Sequence, residues 1–180
     1  SATNALDAGD TVTDTYAFAA SDSTTQTVTI TISGADDASV WAGTSTGAFT
    51  EDVATPATGA LTITDADGDD TPTITDVSST AGANGYGNFV MSSGTWTYTA
   101  GSAVQALDAG ETVTDTYAFA ASDSTTQTVT VTITGANDVS VWAGTVAGAL
   151  TEDASTTTAS AALTIADADG DDTPTITDVS

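Results

Sequence analysis

The sequence has 180 residues and a formal net charge of −25, because 25 aspartates and glutamates stand against no lysine, arginine or histidine. Without a basic side chain, the chain cannot bind nucleic acid through phosphate contacts, and an anionic membrane surface is an equally poor partner. The absence of cysteine excludes disulfides and thiolate metal sites such as zinc fingers.

Hydropathy and targeting patterns exclude further classes of protein. No apolar run approaches the ~18 residues that a membrane-spanning helix needs, so we expect no membrane insertion. No signal-peptide pattern is present, and the only methionine is Met91, so we expect the sequence to be part of a longer polypeptide. So large a net charge repels itself, and the compact state therefore depends on cations or salt.

The first elements form a predicted hairpin. Residues 11–18 and 26–32 alternate threonine with larger apolar residues, and a Ser/Asp/Thr-rich turn separates them. Strict alternation over two such runs indicates two antiparallel strands. We interpret residues 1–37 as the C-terminal part, strands F and G, of a repeat.

Residues 38–138 contain one complete set of strands. The alternation predicts strand A over 39–49, B over 60–64, C over 72–77, D over 86–91, E over 95–99, F over 112–121 and G over 127–134. Strand A is interrupted by glycines, and strand E places Trp96 and Tyr98 on one face. Seven strands in about 100 residues predict an all-β fold, an immunoglobulin-like β-sandwich.

Internal repetition sets the domain organisation. Residues 5–52 and 106–153 match at 40 of 48 positions, with a shift of 101 residues, and residues 60–78 differ from 162–180 at one position. A period of about 101 residues suits one small sandwich domain rather than a solenoid unit. We therefore expect 139–180 to be the N-terminal part, strands A–C, of the next repeat in a tandem array.

The most acidic stretch is DADGDD, at residues 65–70 and again at 167–172. Each copy follows a short apolar-alternating strand. If the strand conformation persists, Asp65, Asp67 and Asp69 point the same way. Several carboxylate oxygens with no cationic side chain available suit a hard divalent cation, most often Ca²⁺.

Loop positions bring further acids to these stretches. When strands alternate in direction, the A–B and E–F loops lie at the C-terminal end of a repeat, beside the linker, and the B–C loop of the next repeat lies across that junction. The predicted ligands at this junction are Glu51, Asp52, Asp108, Glu111, Asn137, Asp138, Asp167, Asp169 and Asp171.

The junction ahead of the complete repeat follows the same rule. Its predicted ligands are Asp7, Asp10, Asp36, Asp37, Asp65, Asp67 and Asp69. Six to eight oxygens complete a Ca²⁺ shell, and backbone carbonyls and water can supply the remainder. The alternative is that these loops are plain solvated acidic surface, of the kind found in a salty habitat.

Several motifs together resemble the VCBS repeat family. They are TED at 50–52, LTITDAD at 61–67, GTWTY at 94–98, AVQALDAGETVTDTY at 103–117 and TQTVTVTITGAND at 126–138. The resemblance implies cadherin-like and immunoglobulin-like tandem modules of large bacterial surface adhesins, often exported by type I secretion.

The acidic loops also resemble the calcium loops of cadherins. Carried over by position, that likeness implies Ca²⁺ ligands at Glu51, Asp108, Glu111, Asn137, Asp138, Asp167 and Asp169. Two departures stand out: Asp36 replaces the asparagine found at 137, and no Gly-Gly-x-Gly-x-Asp nonapeptide is present. The second departure means that this is not a β-roll secretion signal.

Two other chemistries fit poorly. Asp65, Asp67, Asp69 and Asp76 fall at EF-hand loop positions 1, 3, 5 and 12, but position 6 is Asp70 rather than glycine, and the flanking segments are strands. An enzyme is not expected, because no nucleophile–base triad or phosphate clamp can be built without His, Cys, Lys or Arg.

We expect a structural role outside the cell: a Ca²⁺-rigidified stalk module that contacts adjacent repeats of its own chain and holds an adhesive tip away from the bacterial surface. One alternative is a self-assembling extracellular filament, in which strands from neighbouring subunits complete the partial repeats. Another is a glycan-binding module that uses exposed aromatics such as Trp41 or Trp142.

Overall fold

The computed structural model describes residues 5–53, 55–153, 155 and 158–178. Its first element is a hairpin of β1 (Thr11–Ala19) and β2 (Thr25–Ser33), paired antiparallel along their whole length. Threonine alternating with β-branched or aromatic residues favours this pleated conformation. Residues 1–4 and 179–180, which the sequence assigned to partial repeats, lie outside the described part of the chain.

Two sheets form the central sandwich. Its strands are β3 (Val40–Gly43), β4 (Thr46–Thr50), β5 (Ala57–Thr64), β6 (Val77–Ala81), β7 (Gly87–Ser92), β8 (Thr95–Ala100), β9 (Thr112–Ala120) and β10 (Thr126–Thr134). One sheet has the order β4-β10-β9, and the other has the order β3-β5-β8-β7-β6. A short 3-10 helix at Ser102–Ala106 connects β8 to β9. The predicted all-β sandwich is confirmed.

Strand A was predicted as one element, but it is divided into β3 and β4, which belong to different sheets. β3 pairs antiparallel with β5, whereas β4 pairs parallel with β10. The chain crosses between them just after Gly43, whose φ of +104° is left-handed and whose Cβ would lie 2.2 Å from the carbonyl oxygen of Ala60. Glycine is therefore required where strand A changes sheets.

Strand C, predicted over 72–77, is present only as an isolated antiparallel bridge between Ile74 and Ala121. The regular strand β6 begins only at Val77. The preceding segment instead makes a narrow bridge to the end of β9, in which Thr75 N donates to Ala120 O and Ser122 N donates to Thr73 O, both at 2.9 Å. Pro72 has no N–H to donate, so a ladder cannot begin there.

The core fills the space between the two sheets. Phe89, Met91, Trp96 and Tyr98 of β7 and β8 are almost fully buried against inward residues of β9 and β10, namely Phe119, Val129, Val131 and Ile133. The indole N–H of Trp96 donates to the carbonyl oxygen of Thr44 at 2.7 Å, which satisfies its one polar atom. This rigid sandwich fixes the loops at both of its ends.

After the sandwich the pattern restarts. β11 (Val141–Gly144) pairs antiparallel with β12 (Leu163–Ala166), in the register that β3 and β5 use. The predicted strand C of this part does not form, since residues 172–178 have no regular structure. No helix among the described residues has the length and apolar character needed to span a membrane.

Candidate cation sites between repeats

Within the part of the chain that the structure describes, carboxylates gather in three groups at the junctions between repeats. In each group one oxygen from every member lies within 4.8 Å of the others. The groups are Asp7, Asp67 and Asp70; Glu51, Asp52 and Asp138; and Asp167, Asp169 and Asp172. The first group lies ahead of the complete repeat, and the other two lie at the junction that follows it.

A tight turn places the central aspartate of each DADGDD stretch. β5 ends at Thr64, and the amide of Asp67 donates to Oδ1 of Asp65 at 2.9 Å, which closes an Asx-type turn. The amide of Asp70 then donates to the carbonyl oxygen of Asp67 at 3.3 Å. As a result Asp67 is turned inward and is only 3% exposed.

The second copy repeats this turn. The amide of Asp169 donates to Oδ1 of Asp167 at 3.2 Å, and the amide of Asp172 donates to the carbonyl oxygen of Asp169 at 3.3 Å. Asp169 is likewise only 4% exposed. The burial of these two aspartates is therefore encoded in the DADGDD sequence itself.

Linker amides bind one oxygen of each buried aspartate. The amide of Asp37 donates to Oδ2 of Asp67 at 2.8 Å, and the amide of Asp138 donates to Oδ2 of Asp169 at 3.1 Å. The other oxygen, Oδ1, is buried and accepts no hydrogen bond from any described residue in either copy. Each site thus presents one satisfied and one unsatisfied carboxylate oxygen.

Glu51 contributes from the end of β4. Its amide donates to the carbonyl oxygen of Thr134 at 2.9 Å, which places the side chain beside the linker. Glu51 is 1% exposed, and within the described part of the chain neither of its carboxylate oxygens accepts a hydrogen bond of normal geometry. Oδ2 of Asp138 and Oδ1 of Asp7 are also buried and unsatisfied.

Burial and neighbouring negative charge disfavour the ionisation of several carboxylates in these groups. Burial raises the pKa of Glu51, the amide of Ala136 opposes the increase, and three neighbouring carboxylates add to it. Burial is also the largest cause of the raised pKa of Asp138, followed by the charge of Asp52. The same two causes, burial and like charge, raise the pKa of Asp7, Asp70 and Asp172.

The outer aspartate of each turn behaves in the opposite way. The amide of Asp67 and the hydroxyl of Ser39 lower the pKa of Asp65. The hydroxyl of Ser140, which donates at 2.7 Å, lowers the pKa of Asp167. These two carboxylates are held ionised by hydrogen bonds, next to neighbours that resist ionisation.

Backbone contacts join the two sides of the second junction. The amide of Gly170 donates to the carbonyl oxygen of Ala106 at 3.2 Å, and the amide of Asp171 donates to Oδ1 of Asp108 at 3.2 Å. A Cβ at position 170 would lie 3.1 Å from the same Ala106 oxygen, so glycine allows the two loops to approach. The loop between β8 and β9 therefore contacts the acidic turn of the next repeat.

Other predicted ligands lie nearby without joining a group. The side-chain amide of Asn137 donates to the backbone oxygen of Asp138, and Oε2 of Glu111 accepts from the amide of Asp108. The amide of Asp10 donates to the carbonyl oxygen of Asp7 at 3.0 Å. The other predicted carboxylates at the first junction line an open cleft of about 510 Å³: Asp36, Asp37, Asp65 and Asp69.

Three carboxylates were missed by sequence reasoning. Asp70 and Asp172 were assigned to the opposite face, because the alternation was extended past the end of the strand into the turn. Asp123, in the loop between β9 and β10, lines the cleft and shares the hydroxyl of Ser39 with Asp65. The rule that places alternate loops at one end of a sandwich also applies to this loop.

The aromatic residue near the first linker is engaged in the fold. The indole N–H of Trp41 donates to Oγ1 of Thr125 at 2.9 Å, and its ring packs against the core. This contact ties β3 to the loop between β9 and β10. Trp41 is half-buried in this arrangement, and its one polar atom is used by the fold.

Comparison with known proteins gives two findings. The family model described as bacterial cadherin-like domain matches residues 36–135, more than half of the chain. A solved structure described as PcdhgB3 EC1-4 in 50 mM HEPES is similar, with a TM-score of 0.40 and 14% sequence identity over 89% of this chain and 40% of that chain. No curated protein sequence matches the chain significantly.

Proposed function

Because the chain belongs to the bacterial cadherin-like domain family, a family of adhesion and structural modules, we propose that it is a Ca²⁺-rigidified stalk segment of an extracellular bacterial adhesin. In this role the repeats serve as spacers, and the cations at each junction restrict how one repeat moves against the next. The VCBS subgroup that the motifs resemble is part of the same proposal.

One observation carries the proposal: Asp67 and Asp169 are buried at equivalent positions, each keeps one unsatisfied oxygen, and each belongs to a carboxylate group. Burying an ionised carboxylate without a partner costs several kcal/mol. The chain has no basic side chain that could neutralise either residue. A bound cation provides the missing charge and the missing coordination together.

The donor set favours Ca²⁺ among cations. The sites offer only oxygen atoms, which excludes ions that prefer nitrogen or sulfur. Ca²⁺ accepts six to eight oxygens in flexible arrangements, whereas Mg²⁺ requires a near-ideal octahedron. Ligands from separate loops and a linker suit the more tolerant ion. Extracellular Ca²⁺ modules bind with Kd values of about 10⁻⁴–10⁻³ M, so millimolar Ca²⁺ would fill such sites.

The groups define the residues that would hold the ions. At the second junction Glu51, Asp52 and Asp138 would hold one cation, and Asp167, Asp169 and Asp172 would hold another. At the first junction the ligands would be Asp7, Asp67 and Asp70. The first-junction cation would link a loop of one repeat to the acidic turn of the next, and the cation at Glu51, Asp52 and Asp138 would link a loop to the linker. Interfaces between domains permit relative motion by default, so this link would stiffen the chain.

Thermal unfolding tests the proposal. The melting temperature is compared in calcium-stripped buffer and in millimolar CaCl₂, with ionic strength matched by NaCl. Ca²⁺ at ~10 times Kd adds about 1.4 kcal/mol of stability per site. We expect a rise of several degrees that NaCl does not reproduce. The double variant Asp67→Asn with Asp169→Asn should lose most of this rise, whereas Asp22→Asn, in an exposed turn, should keep it.

Small-angle scattering tests the stiffening separately. Removal of Ca²⁺ should broaden the distance distribution of the wild-type chain and leave that of the double variant unchanged. Identical melting curves and identical scattering in both buffers would show that the acidic groups are ordinary solvated surface. The proposal would then fail.

A further inference from the structure

The β1–β2 hairpin exposes an apolar face. Tyr16, Phe18 and Ile30 are 67%, 57% and 59% exposed, and Val12 and Val28 lie on the same face. The rings of Tyr16 and Phe18 contact each other edge to face with centroids 4.8 Å apart, but no second layer covers them within the described residues. A face of this kind marks an interaction surface.

The same sequence occurs later in the chain with its face covered. Residues 11–33 and 112–134 are identical at 21 of 23 positions, and both hairpins pair in the same register. In the second hairpin Phe119 and Val131, the counterparts of Phe18 and Ile30, are 0% exposed. The difference in burial therefore comes from the partner and not from the hairpin. The second hairpin shows which partner fits.

Ring contacts define the chemistry of that partner. Phe89 of β7 lies against Tyr117 and Phe119, with ring centroids 5.9 Å and 6.2 Å away. The ring of Tyr98 in β8 contacts that of Phe89 in a tilted arrangement, with centroids 4.6 Å apart. A covering layer for the first hairpin thus needs aromatic residues in the positions of β7 and β8.

Two further features of the first hairpin lack the partners that their counterparts have in the second hairpin. β10 carries β4 along its outer edge in a parallel pairing, whereas β2 has β1 as its only neighbour among the described residues. Asp115 of β9 is fully buried and accepts hydrogen bonds from Asn84 N and Tyr98 Oη, whereas its counterpart Asp14 is exposed. The free edge of β2, the apolar face of the hairpin and the carboxylate of Asp14 would all be covered by the same set of strands.

We propose that the apolar face of the β1–β2 hairpin is a docking surface for the first six strands of a cadherin-like repeat, equivalent to residues 38–104, carried on the same polypeptide. This partner would add a strand to the edge of β2, cover the face with aromatic side chains and surround Asp14 with amides. The complete repeat shows all three contacts with nearly the same hairpin sequence.

A second copy of the chain is a poorer partner. Its own strands β3–β8 already pack on its β9–β10 hairpin, so it could offer them only by exchange. A tethered segment also benefits from a high effective concentration.

An extended chain tests the proposal. A copy of residues 38–105 is fused directly ahead of Ala5, which reproduces the spacing found before Ala106. We expect a monomer in which binding of a hydrophobic dye falls and proteolysis of the 11–33 segment slows at least about tenfold. Phe18→Asp in the extended chain should abolish both effects. Thr27→Asp, whose counterpart Thr128 is exposed in the complete repeat, should preserve them.

The measurements are made in calcium-stripped buffer as well as with Ca²⁺, so that docking is judged independently of the cation sites. Docking in both buffers without any effect of Ca²⁺ would leave this inference standing while the proposed function failed. An added segment that stays protease-sensitive, or that protects the hairpin only by forming exchanged dimers, would overturn the inference.

Discussion

The hydroxyl of Tyr98 donates a 3.0 Å hydrogen bond to Oδ2 of Asp115, and both side chains are fully buried in the middle of the sandwich. Backbone amides complete the environment of this carboxylate. Asn84 N lies 2.9 Å from Oδ1, and Tyr86 N and Gly87 N lie 3.1 Å and 3.2 Å from Oδ2. Asp115 therefore fixes the loop between β6 and β7 against β9. Burial and this carboxylate raise the pKa of Tyr98 well above its usual value.

Replacing Asp115 should destabilise the complete repeat strongly. Asp115→Ala leaves several buried donors without an acceptor, and we expect a loss of about 3 kcal/mol in the free energy of unfolding. Urea denaturation monitored by tryptophan fluorescence measures the loss. Asp14→Ala is the matched control, because it makes the same change at the equivalent position of the exposed hairpin. Equal effects of the two changes would contradict the role assigned to the buried carboxylate.

Sequence analysis did not single out Asp115, although the alternation of its strand contains part of the answer. The residue lies in the inward register of its strand, with Val113, Tyr117 and Phe119, so an acidic group facing the core was visible in the sequence. The groups that donate hydrogen bonds to its carboxylate were not visible in the sequence. They come from the loop between β6 and β7, which is distant in sequence and is held by Gly82, whose Cβ would lie 2.2 Å from Oδ1 of Asp115.

Non-local pairing explains the other differences. The F–G hairpin and strand E were predicted closely because their pairing is local and their alternation is strict. The division of strand A depends on a parallel pairing between β4 and β10, which alternation within either segment cannot reveal. In the acidic loops, the turn that begins at Asp65 cancels the parity of the preceding strand. For that reason Asp67 and Asp70 converge, and the second of them was missed.

We expect Trp96 to contribute strongly to the stability of the core. Its side chain is 0% exposed, and its indole ring fills the space beside Gly47 and Gly59. Trp96→Ala should cost about 3–5 kcal/mol, because it removes a large buried surface and leaves a cavity. Trp142→Ala provides the comparison, since Trp142 is 55% exposed and should change stability by less than about 0.5 kcal/mol. Chemical denaturation of both variants measures the two losses in the free energy of unfolding.

Glu51→Gln should change stability in opposite directions with and without Ca²⁺. Without the cation, the substitution removes a buried charge that lies close to Asp52 and Asp138, so we expect the protein to become more stable. With Ca²⁺ bound, the same change removes a charged ligand and should destabilise the protein.

The control for this test is Glu152→Gln, at the equivalent position in the next repeat, where the side chain is exposed. It should have little effect in either buffer. Melting temperatures of the two variants, each measured in calcium-stripped buffer and in CaCl₂, give the comparison. The same sign for Glu51→Gln in both buffers would argue against a cation at this group.

The pH dependence of stability should also reverse when Ca²⁺ binds. Glu51, Asp7, Asp70, Asp138 and Asp172 have pKa values raised by burial and neighbouring charge. Without a cation, the folded state takes up protons at these groups before the unfolded state does. Stability should therefore rise as pH falls from 7 through the raised pKa values, and it is lost again as pH rises.

Below the ordinary carboxyl range of about pH 4, the trend should turn. Asp65 and Asp167 have lowered pKa values, and the stability that they contribute is lost as pH falls through those values. Calcium-free protein should therefore be most stable slightly above pH 4. Bound Ca²⁺ competes with protons for the same oxygens, so in CaCl₂ stability should fall steadily as pH decreases from 7. Melting temperatures across this range would reject the cation sites if the two buffers gave parallel curves.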